Sequence, residues 1–551
     1  PAAKQEEPAA DSLPVTGGDP LDYDTVSWSA CHVNCGSRCP LKAYVKDGQV
    51  VRIDIDSDGD DEFGPGKIYQ MRSCVRGRTN RQRIYSPDRI QKPLKRVEGT
   101  KRGEGKYEEI TWDEAIDLIA TTMKEIKEEY GNDAFYIQYG TGVKKVQVSK
   151  TAGGLIPTKP VVTHEIGQYE VYPDFREIDK YTGPLKARNF EIFRFRLGAK
   201  GMLRQADKFF RCSGALAAAC YKEEIEAAMR SQYIAGFQLL DLQDFSGQGT
   251  ALVGMLDAFM DSKGLITDSE WREFCNDAVV MARFDSYVLE AGSSFKAHTE
   301  LCNYRPDLKD GKLICTLTLE NGDVIGKVEK NFVAEGNYTE ICDVEFTLPQ
   351  VTKNTKAVLS LEIDGTDIRN HYDLWVIPTV EKTDISGAYI FNEVNEEAES
   401  LLKQGKTVLI LPDLSKLENS IEGFYCQDFW CYHMFCIISQ MMKPDPVGTM
   451  GLLIDTEHPA LAGFAGEKYS TPQWWEIVQN SRSVILDDFK GEKNVIVRTI
   501  DNFDRNHDLS LLYEYEKDGG KVVVCSCDFD KLSHSPEGRA FIKSVVNYVR
   551  N

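Results

Sequence analysis

The stretch "CHVNCGSRC" places thiols at Cys31, Cys35 and Cys39, one every fourth residue, and a fourth follows at Cys74 in "RSCVRG". Between them, "AYVKDGQVVRIDID" alternates apolar and polar residues about Asp47-Gly48. That dipeptide tolerates positive φ at both central positions of a tight turn, so two strands joined as a hairpin are expected. A hairpin returns the chain toward its start and can carry Cys74 back to the loop of three. Four thiolates suit an iron–sulfur cubane with Cys31, Cys35, Cys39 and Cys74 as ligands. They also suit a structural zinc ion, but zinc ligands usually come as two short knuckles, and here the grouping is three plus one. Unliganded thiols are the third reading. The cubane accounts best for the spacing.

A chain of 551 residues with 42% hydrophobic residues is too long for one core and is expected to form three or four domains. Its net charge of −21 argues against a nucleic-acid or anionic-membrane partner for the whole protein. One local exception is the basic run Arg72, Arg76, Arg78, Arg81, Arg83, Arg89, Lys92, Lys95 and Arg96. It reads either as a solvated face or, beside a thiolate-bound cluster, as charge that favours an added electron or holds the phosphates of a nucleotide cofactor. No apolar run approaches the roughly 18 residues of a membrane span, so no transmembrane segment is expected. The other eleven of the fifteen cysteines are scattered from Cys212 to Cys527, which reads as reduced, buried thiols and folding in a reducing compartment. Residues 1–25, rich in Pro, Ala, Gly and acids, read as a disordered leader. A first residue Pro1 with no signal pattern before it suggests a chain processed or cut from a longer one.

Three stretches carry a family resemblance: "CHVNCGSRCPLKAYVKDGQVVRIDID", "RSCVRGRTNRQRIYSPDRIQKPLKRVEG" and "RGEGKYEEITWDEAIDLIATTMKEIKEEYGNDAFYIQYGTG". Across about residues 26–142 the chain resembles the start of the catalytic subunit of anaerobic dimethyl sulfoxide reductases, which belong to the molybdopterin oxidoreductases. The resemblance implies one [4Fe-4S] cluster on the four cysteines and a molybdenum bis-MGD cofactor, with Arg76 lying between cluster and pterin. It also implies an electron-transfer iron–sulfur subunit as partner. An exported, membrane-associated location on the periplasmic or cell-surface side, reached after folding in the cytoplasm, is implied too. "TWDEAIDLIATTMKEIKEEYG" is an amphipathic helix in its own right, with Thr111 and Glu114 as a capping box. "AFYIQYG" reads as the strand opening the pterin-binding α/β domain. On this reading residues 26–97 form the cluster module, and 98–157 the start of the α/β domain and a seam.

Beyond Gly142 the text changes. "PVVTHE" reads as a short buried parallel strand delivering Glu165 at its C-terminal tip, where barrel enzymes place their chemistry. After helical text, "GFQLL" is a second such strand, followed by Asp241, Gln243 and Asp244, which makes a βαβ unit. Residues 158–284 resemble the last two strand–helix units of the TIM-type barrel in glycoside hydrolase family 2. This implies Glu165 as the nucleophile, with His164, Gln168 and Tyr169 flanking a sugar pocket; an ordinary acid capping a strand is the alternative. Residues 285–380 alternate as a β-sandwich, with Asn321-Gly322 at a hairpin turn. Residues 381–551 read as an α/β layer domain of flavodoxin-like or amidotransferase-like type. There Cys525 and Cys527 are read as buried structural thiols rather than catalytic or metal-binding ones, and Trp474-Trp475 as core or interface.

The expected fold class is therefore multidomain α+β: a small [4Fe-4S] module, an incomplete (β/α) barrel segment, a β-sandwich and a C-terminal flavodoxin-like layer domain. Each half lacks part of its chemistry. A retaining glycosidase needs two carboxyl groups about 5 Å apart, and nothing between Pro157 and Glu165 supplies the second. Two strands also cannot close a barrel. The reductase half lacks its pterin and substrate sites. The expectation is a chimera, joined across residues 142–158 by a real fusion or an assembly artefact. Its function is the iron–sulfur part of a molybdopterin-dependent oxidoreductase, not a complete enzyme of either kind. The alternatives are a family 2-like hydrolase of β-linked sugars, or a non-catalytic carbohydrate-binding module.

Overall fold

The computed structural model describes residues 22–31, 39–55, 73–87, 89–100, 104–130, 161–183, 186–231, 234–245, 249–380, 384–427, 448–464 and 466–550. The seam lies outside them. The chain forms two compact units, residues 1–142 and 143–551.

In the first unit, β1 (Thr25–Ala30), β2 (Pro40–Lys46) and β3 (Gln49–Ile55) form an antiparallel sheet in that order. Asp47 and Gly48 take φ of 46° and 73°, the left-handed pair that a two-residue hairpin turn requires, and Lys46 faces Gln49 across it. Leu41 and Ile55 face each other across β2 and β3 and are buried. Two short helices follow Cys74: α1 (Val75–Arg78) and α2 (Asn80–Ile84). A small hairpin of β4 (Leu94–Arg96) and β5 (Tyr107–Glu109) then leads to α3 (Trp112–Tyr130). The capping box is made: Glu114 N–H donates to Thr111 Oγ1 at 3.2 Å, and Thr111 N–H donates to Glu114 Oε2 at 2.7 Å. The expected strand "AFYIQYG" lies outside the described residues.

The second unit opens with β6 (Val161–Ile166) and β7 (Ile234–Leu239), which pair in parallel. They are joined through α4 (Arg188–Ala199) and α5 (Ala206–Met229), the crossover that a parallel pair demands. Helix α5 buries Phe209, Phe210, Leu216, Tyr221 and Ile225. After α6 (Asp268–Phe274) come β8 (Ala278–Arg283), β9 (Val288–Glu290), β10 (Ser294–Asn303), β11 (Asp310–Leu319), β12 (Val324–Val333), β13 (Tyr338–Thr347), β14 (Thr355–Ile363) and β15 (Arg369–Ile377). They make a three-stranded sheet, β13-β10-β8, and a five-stranded one, β12-β11-β14-β15-β9. The two share one core that includes Phe295, Leu301, Leu317, Leu359 and Leu374. At the Asn321-Gly322 turn only Gly322 is left-handed (φ 92°), and its N–H donates to the Leu319 carbonyl at 2.9 Å. This is a longer loop than the two-residue turn.

The C-terminal sheet runs β16 (Tyr389–Phe391), β17 (Thr407–Ile410), β23 (Gly520–Cys525), β22 (Leu509–Lys517), β20 (Arg482–Ile485), β18 (Ser420–Glu422), with β21 (Asn494–Asp501) and β19 (Thr449–Ile454) attached through β22. Only β16, β17 and β23 are mutually parallel. This departs from the flavodoxin-like expectation of an all-parallel layer. The cause is connection length: β22 and β23 are joined by Asp518-Gly519 alone, whereas a parallel neighbour needs a crossover of about a dozen residues. The helix Pro536–Arg550 lays Phe541, Ile542, Val545, Val546 and Val549 against this sheet. Trp474 is fully buried and Trp475 is 47% exposed. The chain is thus multidomain and mixed α+β, as expected at that level. No helix among the described residues is long and apolar enough to cross a membrane.

Candidate iron–sulfur site

Cys31 directly follows β1 and Cys39 directly precedes β2. The Cys31 N–H donates to the Cys39 carbonyl at 2.8 Å, so the loop between them leaves and re-enters from one point of the sheet. Cys31 is buried and Cys39 half-buried, and neither forms a disulfide. Cys35 lies outside the described residues. Cys74, also half-buried and in no disulfide, sits in extended conformation at the start of α1, and its carbonyl accepts the Arg78 N–H at 3.2 Å.

Packing explains the small residue three positions after Cys74. A Cβ added at Gly77 would fall 1.8 Å from Ser73 Oγ and 3.3 Å from Leu41 Cδ2. Ser73 is itself buried, so α1 lies flush against β2, the strand that begins beside Cys39.

The basic run is largely engaged. Arg81 Nε donates to the Val50 carbonyl at 2.9 Å, Lys92 pairs with Glu109 at 2.8 Å and Arg96 donates to the Thr100 carbonyl at 2.6 Å. On β3, burial raises the Asp54 carboxyl, but the Ile55 N–H and its ion pair with Arg52 more than offset this and hold it below the usual range. Arg76 is exposed. Arg72 lies outside the described residues.

The donor types fit an iron–sulfur cluster: cysteines outside any disulfide at the ends of neighbouring strands, and a third at the start of a helix packed against the same sheet. Among the described residues, which include Cys31, Cys39 and Cys74 but not Cys35, no three His, Cys, Asp or Glu side chains are grouped to hold a single metal ion.

In the second unit Glu165 stands at the tip of β6, half-buried, with φ 55°. Gly167 and Gln168 follow at 93° and 69°, and Gln168 Nε2 donates to the Glu165 carbonyl at 2.7 Å. A carboxylate the sequence reading missed organises this tip. Glu224 on α5 accepts the Gly167 N–H and the Tyr169 hydroxyl, each at 2.8 Å. Burial first, and Glu224 second, push the Tyr169 phenol far above its usual range. Gln168 and Tyr169 are both buried and hold the loop. The side chain of His164 lies outside the described residues.

Further along, Asp244 is buried and bound by Lys263 Nζ at 2.7 Å and by the Gly254 N–H at 2.9 Å. Glu177 nearby is buried too, and burial, then the Asp244 charge, push it up to about 7. Cys525 and Cys527 are buried in the core of the C-terminal sheet, the Cys527 thiol raised by a hydrogen bond to Cys525 and by burial.

Against known proteins, residues 24–86 match the molybdopterin oxidoreductase Fe4S4 domain and residues 89–149 the molybdopterin oxidoreductase family. The N-terminal part of the chain is therefore similar to molybdopterin oxidoreductases, and the Fe4S4 domain it matches implies a [4Fe-4S] cluster. Residues 293–378 and 389–551 match two domains of unknown function, DUF8488 and DUF8487.

The chain is similar to dimethyl sulfoxide reductase DmsA of Escherichia coli (strain K12), 49% identical over 134 residues, which is 24% of this chain and 16% of that protein. It is 52% identical over 120 residues to the putative dimethyl sulfoxide reductase chain YnfE of the same organism, covering 22% of this chain and 14% of that one. The chain thus spans about a seventh of the length of these relatives. Among solved structures, a β-D-mannosidase from Dictyoglomus thermophilum aligns over 39% of this chain and 27% of its own at 15% identity, with a TM-score of 0.26. A likeness at that level says nothing about function.

Proposed function

We propose that residues 26–142 form the iron–sulfur end of a molybdopterin-dependent oxidoreductase of the dimethyl sulfoxide reductase type. In this reading Cys31, Cys35, Cys39 and Cys74 hold one [4Fe-4S] cluster, with residues 26–97 as its domain and 98–157 as the start of the pterin-binding layer. The observation that carries it is the Cys31–Cys39 hydrogen bond beside a helix that presents Cys74, within a segment matching the Fe4S4 domain over all four cysteines. When bound, the cluster supplies one-electron transfer between a molybdenum bis-MGD cofactor and an external iron–sulfur subunit. The chain's own part is electrostatic and steric. Four deprotonated thiolates bring negative charge, and a further electron adds to it, so the guanidinium of Arg76 lowers the energy of the reduced state. Buried Leu41 and Ile55 restrict water beside the cluster. The chain matches only about a seventh of the length of these relatives, so in this reading the segment supplies electron transfer and not turnover.

The full chain purified without oxygen tests this. It should carry about four irons, with a brown absorbance that bleaches on reduction. Colourless, iron-free protein after anaerobic reconstitution overturns it.

A second reading concerns Glu165. Its place at the tip of a parallel strand, on a turn of left-handed residues, favours the remnant of a glycosidase nucleophile in a barrel segment spanning residues 158–284. It would sit ahead of a sandwich (285–380) and an α/β domain (381–551), which are candidates for carbohydrate binding. Aryl-glycoside turnover that disappears in Glu165→Gln supports this, and no turnover by the parent ends it. The chain is then a junction of two proteins across residues 142–158. Transcript reads crossing that stretch decide between fusion and artefact.

A further inference from the structure

The covalent path from Cys39 to Cys74 runs through the β2–β3 hairpin and a further stretch of chain, so non-covalent contacts must set where the fourth thiol stands. One contact is the close packing of Gly77 and Ser73 on Leu41. The other lies one helix further on. Strand β3 is the edge of its sheet, and the outward-facing backbone groups of an edge strand need partners. At Val50 both are taken from α2 and its C-terminal cap. The Val50 N–H donates to the Tyr85 hydroxyl at 2.9 Å, and the Val50 carbonyl accepts Arg81 Nε at 2.9 Å. The two side chains are four residues apart, one helical turn, and the Arg81 guanidinium lies over the Tyr85 ring at 6.0 Å. Val50 also borders the slip in the hairpin register, where Tyr44 faces Arg52 and Val45 faces Val50. Gripping both backbone groups of one residue fixes the helix pair in position along the strand and in rotation about it.

We propose that Arg81 and Tyr85 are positioning residues for the cluster: together they clamp Val50 and so hold the helix that begins at Cys74 against the sheet whose strands flank Cys31 and Cys39. This rests on the [4Fe-4S] reading above. It gives Arg81 a role other than phosphate binding. It also predicts a failure confined to one iron, because only Cys74 depends on the clamp.

The test uses the full chain, reconstituted without oxygen and titrated with ferricyanide. The one-electron oxidant takes an electron from [4Fe-4S]2+, and the oxidised cluster releases one Fe2+ to leave [3Fe-4S]+, with ferrocyanide as the other product. Tyr85→Phe and Arg81→Ala should each speed this conversion by about fivefold, the factor one net hydrogen bond carries, read by the EPR signal of [3Fe-4S]+. Arg81→Lys, which can still donate to the Val50 carbonyl, should recover part of the loss. Amide exchange at Val50 should quicken in Tyr85→Phe. Conversion at the parental rate in both variants overturns the clamp. Loss of all the iron together also overturns it, since that marks general destabilisation of the unit. A parent that takes up no iron sinks the cluster reading itself, and the proposal with it, and is told apart because it is seen before any variant is made.

Discussion

Cys31 and Cys39 are bound to each other through the backbone, N–H to carbonyl at 2.8 Å, across the two ends of one loop. The first and third thiols of the set are therefore held together by the β1–β2 ladder whether or not a metal is present. The fourth has no such tie and depends on how α1 packs.

That dependence makes Gly77→Ala a sharp test. Alanine is intrinsically the better helix residue by about 1 kcal/mol. Its Cβ would nevertheless fall 1.8 Å from Ser73 Oγ, and overlap in a packed site costs about 1–3 kcal/mol, so the overlap wins. Gly77→Ala should lower iron retention against a chelator, and Ser73→Ala in the same chain should restore most of it. Independent, additive losses would show that the two residues do not meet.

His371 ties β15 to α6. Its Nδ1 lies 2.5 Å from Glu273 Oε2, and that hydrogen bond raises the imidazole above its ordinary value of 6.5 despite the opposing effect of burial. A raised base stabilises the fold below its unfolded value and loses that contribution as pH climbs through the folded one. The melting temperature of the second unit should therefore fall as pH rises from 6.5, and His371→Gln should flatten that limb. Identical slopes in parent and variant would dismiss the pair as a stabilising element.

Glu514 gives the opposite sign. Burial raises it, but His458, Tyr548 and Asn494 outweigh that and hold it at about 2, against an ordinary value of 4.5. The Tyr548 hydroxyl donates to Glu514 Oε2 at 2.6 Å. A depressed acid stabilises above its unfolded value, and the contribution drains as pH falls from 4.5 toward 2. Denaturation of Glu514→Gln should show a shallower acid limb than the parent, with the difference vanishing below pH 2.

Glu177 should be a case where removing a charge helps. Its folded value near 7 lies above the ordinary 4.5, so ionisation favours the unfolded chain and stability falls as pH rises between the two. Glu177→Gln keeps the shape and removes the charge. At pH 8 the variant should be more stable by about 1–3 kcal/mol, and near pH 4 indistinguishable, by urea denaturation. The nearby charges of Lys263 and Lys180 pull Glu177 down without outweighing burial, so a destabilised variant at pH 8 would mean that the carboxylate is held by stronger partners than these.

What could be read along the chain was local. The Asp47-Gly48 turn is legible because two adjacent residues must adopt positive φ, and the Thr111–Glu114 box because its partners are three positions apart. The grouping of Cys31, Cys35 and Cys39 is likewise a short-range pattern, whereas Cys74 stands 35 positions beyond Cys39. Asn321-Gly322 shows the limit: the dipeptide marks the bend correctly, but the number of loop residues, set by the flanking pairings, selects the turn.

Only the tertiary structure decided the rest, because the partners are distant in sequence and follow no period. Val50 meets Arg81 and Tyr85 across 31 and 35 positions, and Gly167 meets Glu224 across 57. Strand direction in the C-terminal sheet was equally hidden. Alternating apolar residues announce a strand, but the length of each connection and the space left by its neighbours determine which way it runs. Backbone groups are satisfied by whatever side chain folding brings to them, and that choice is made by packing, not by proximity along the chain.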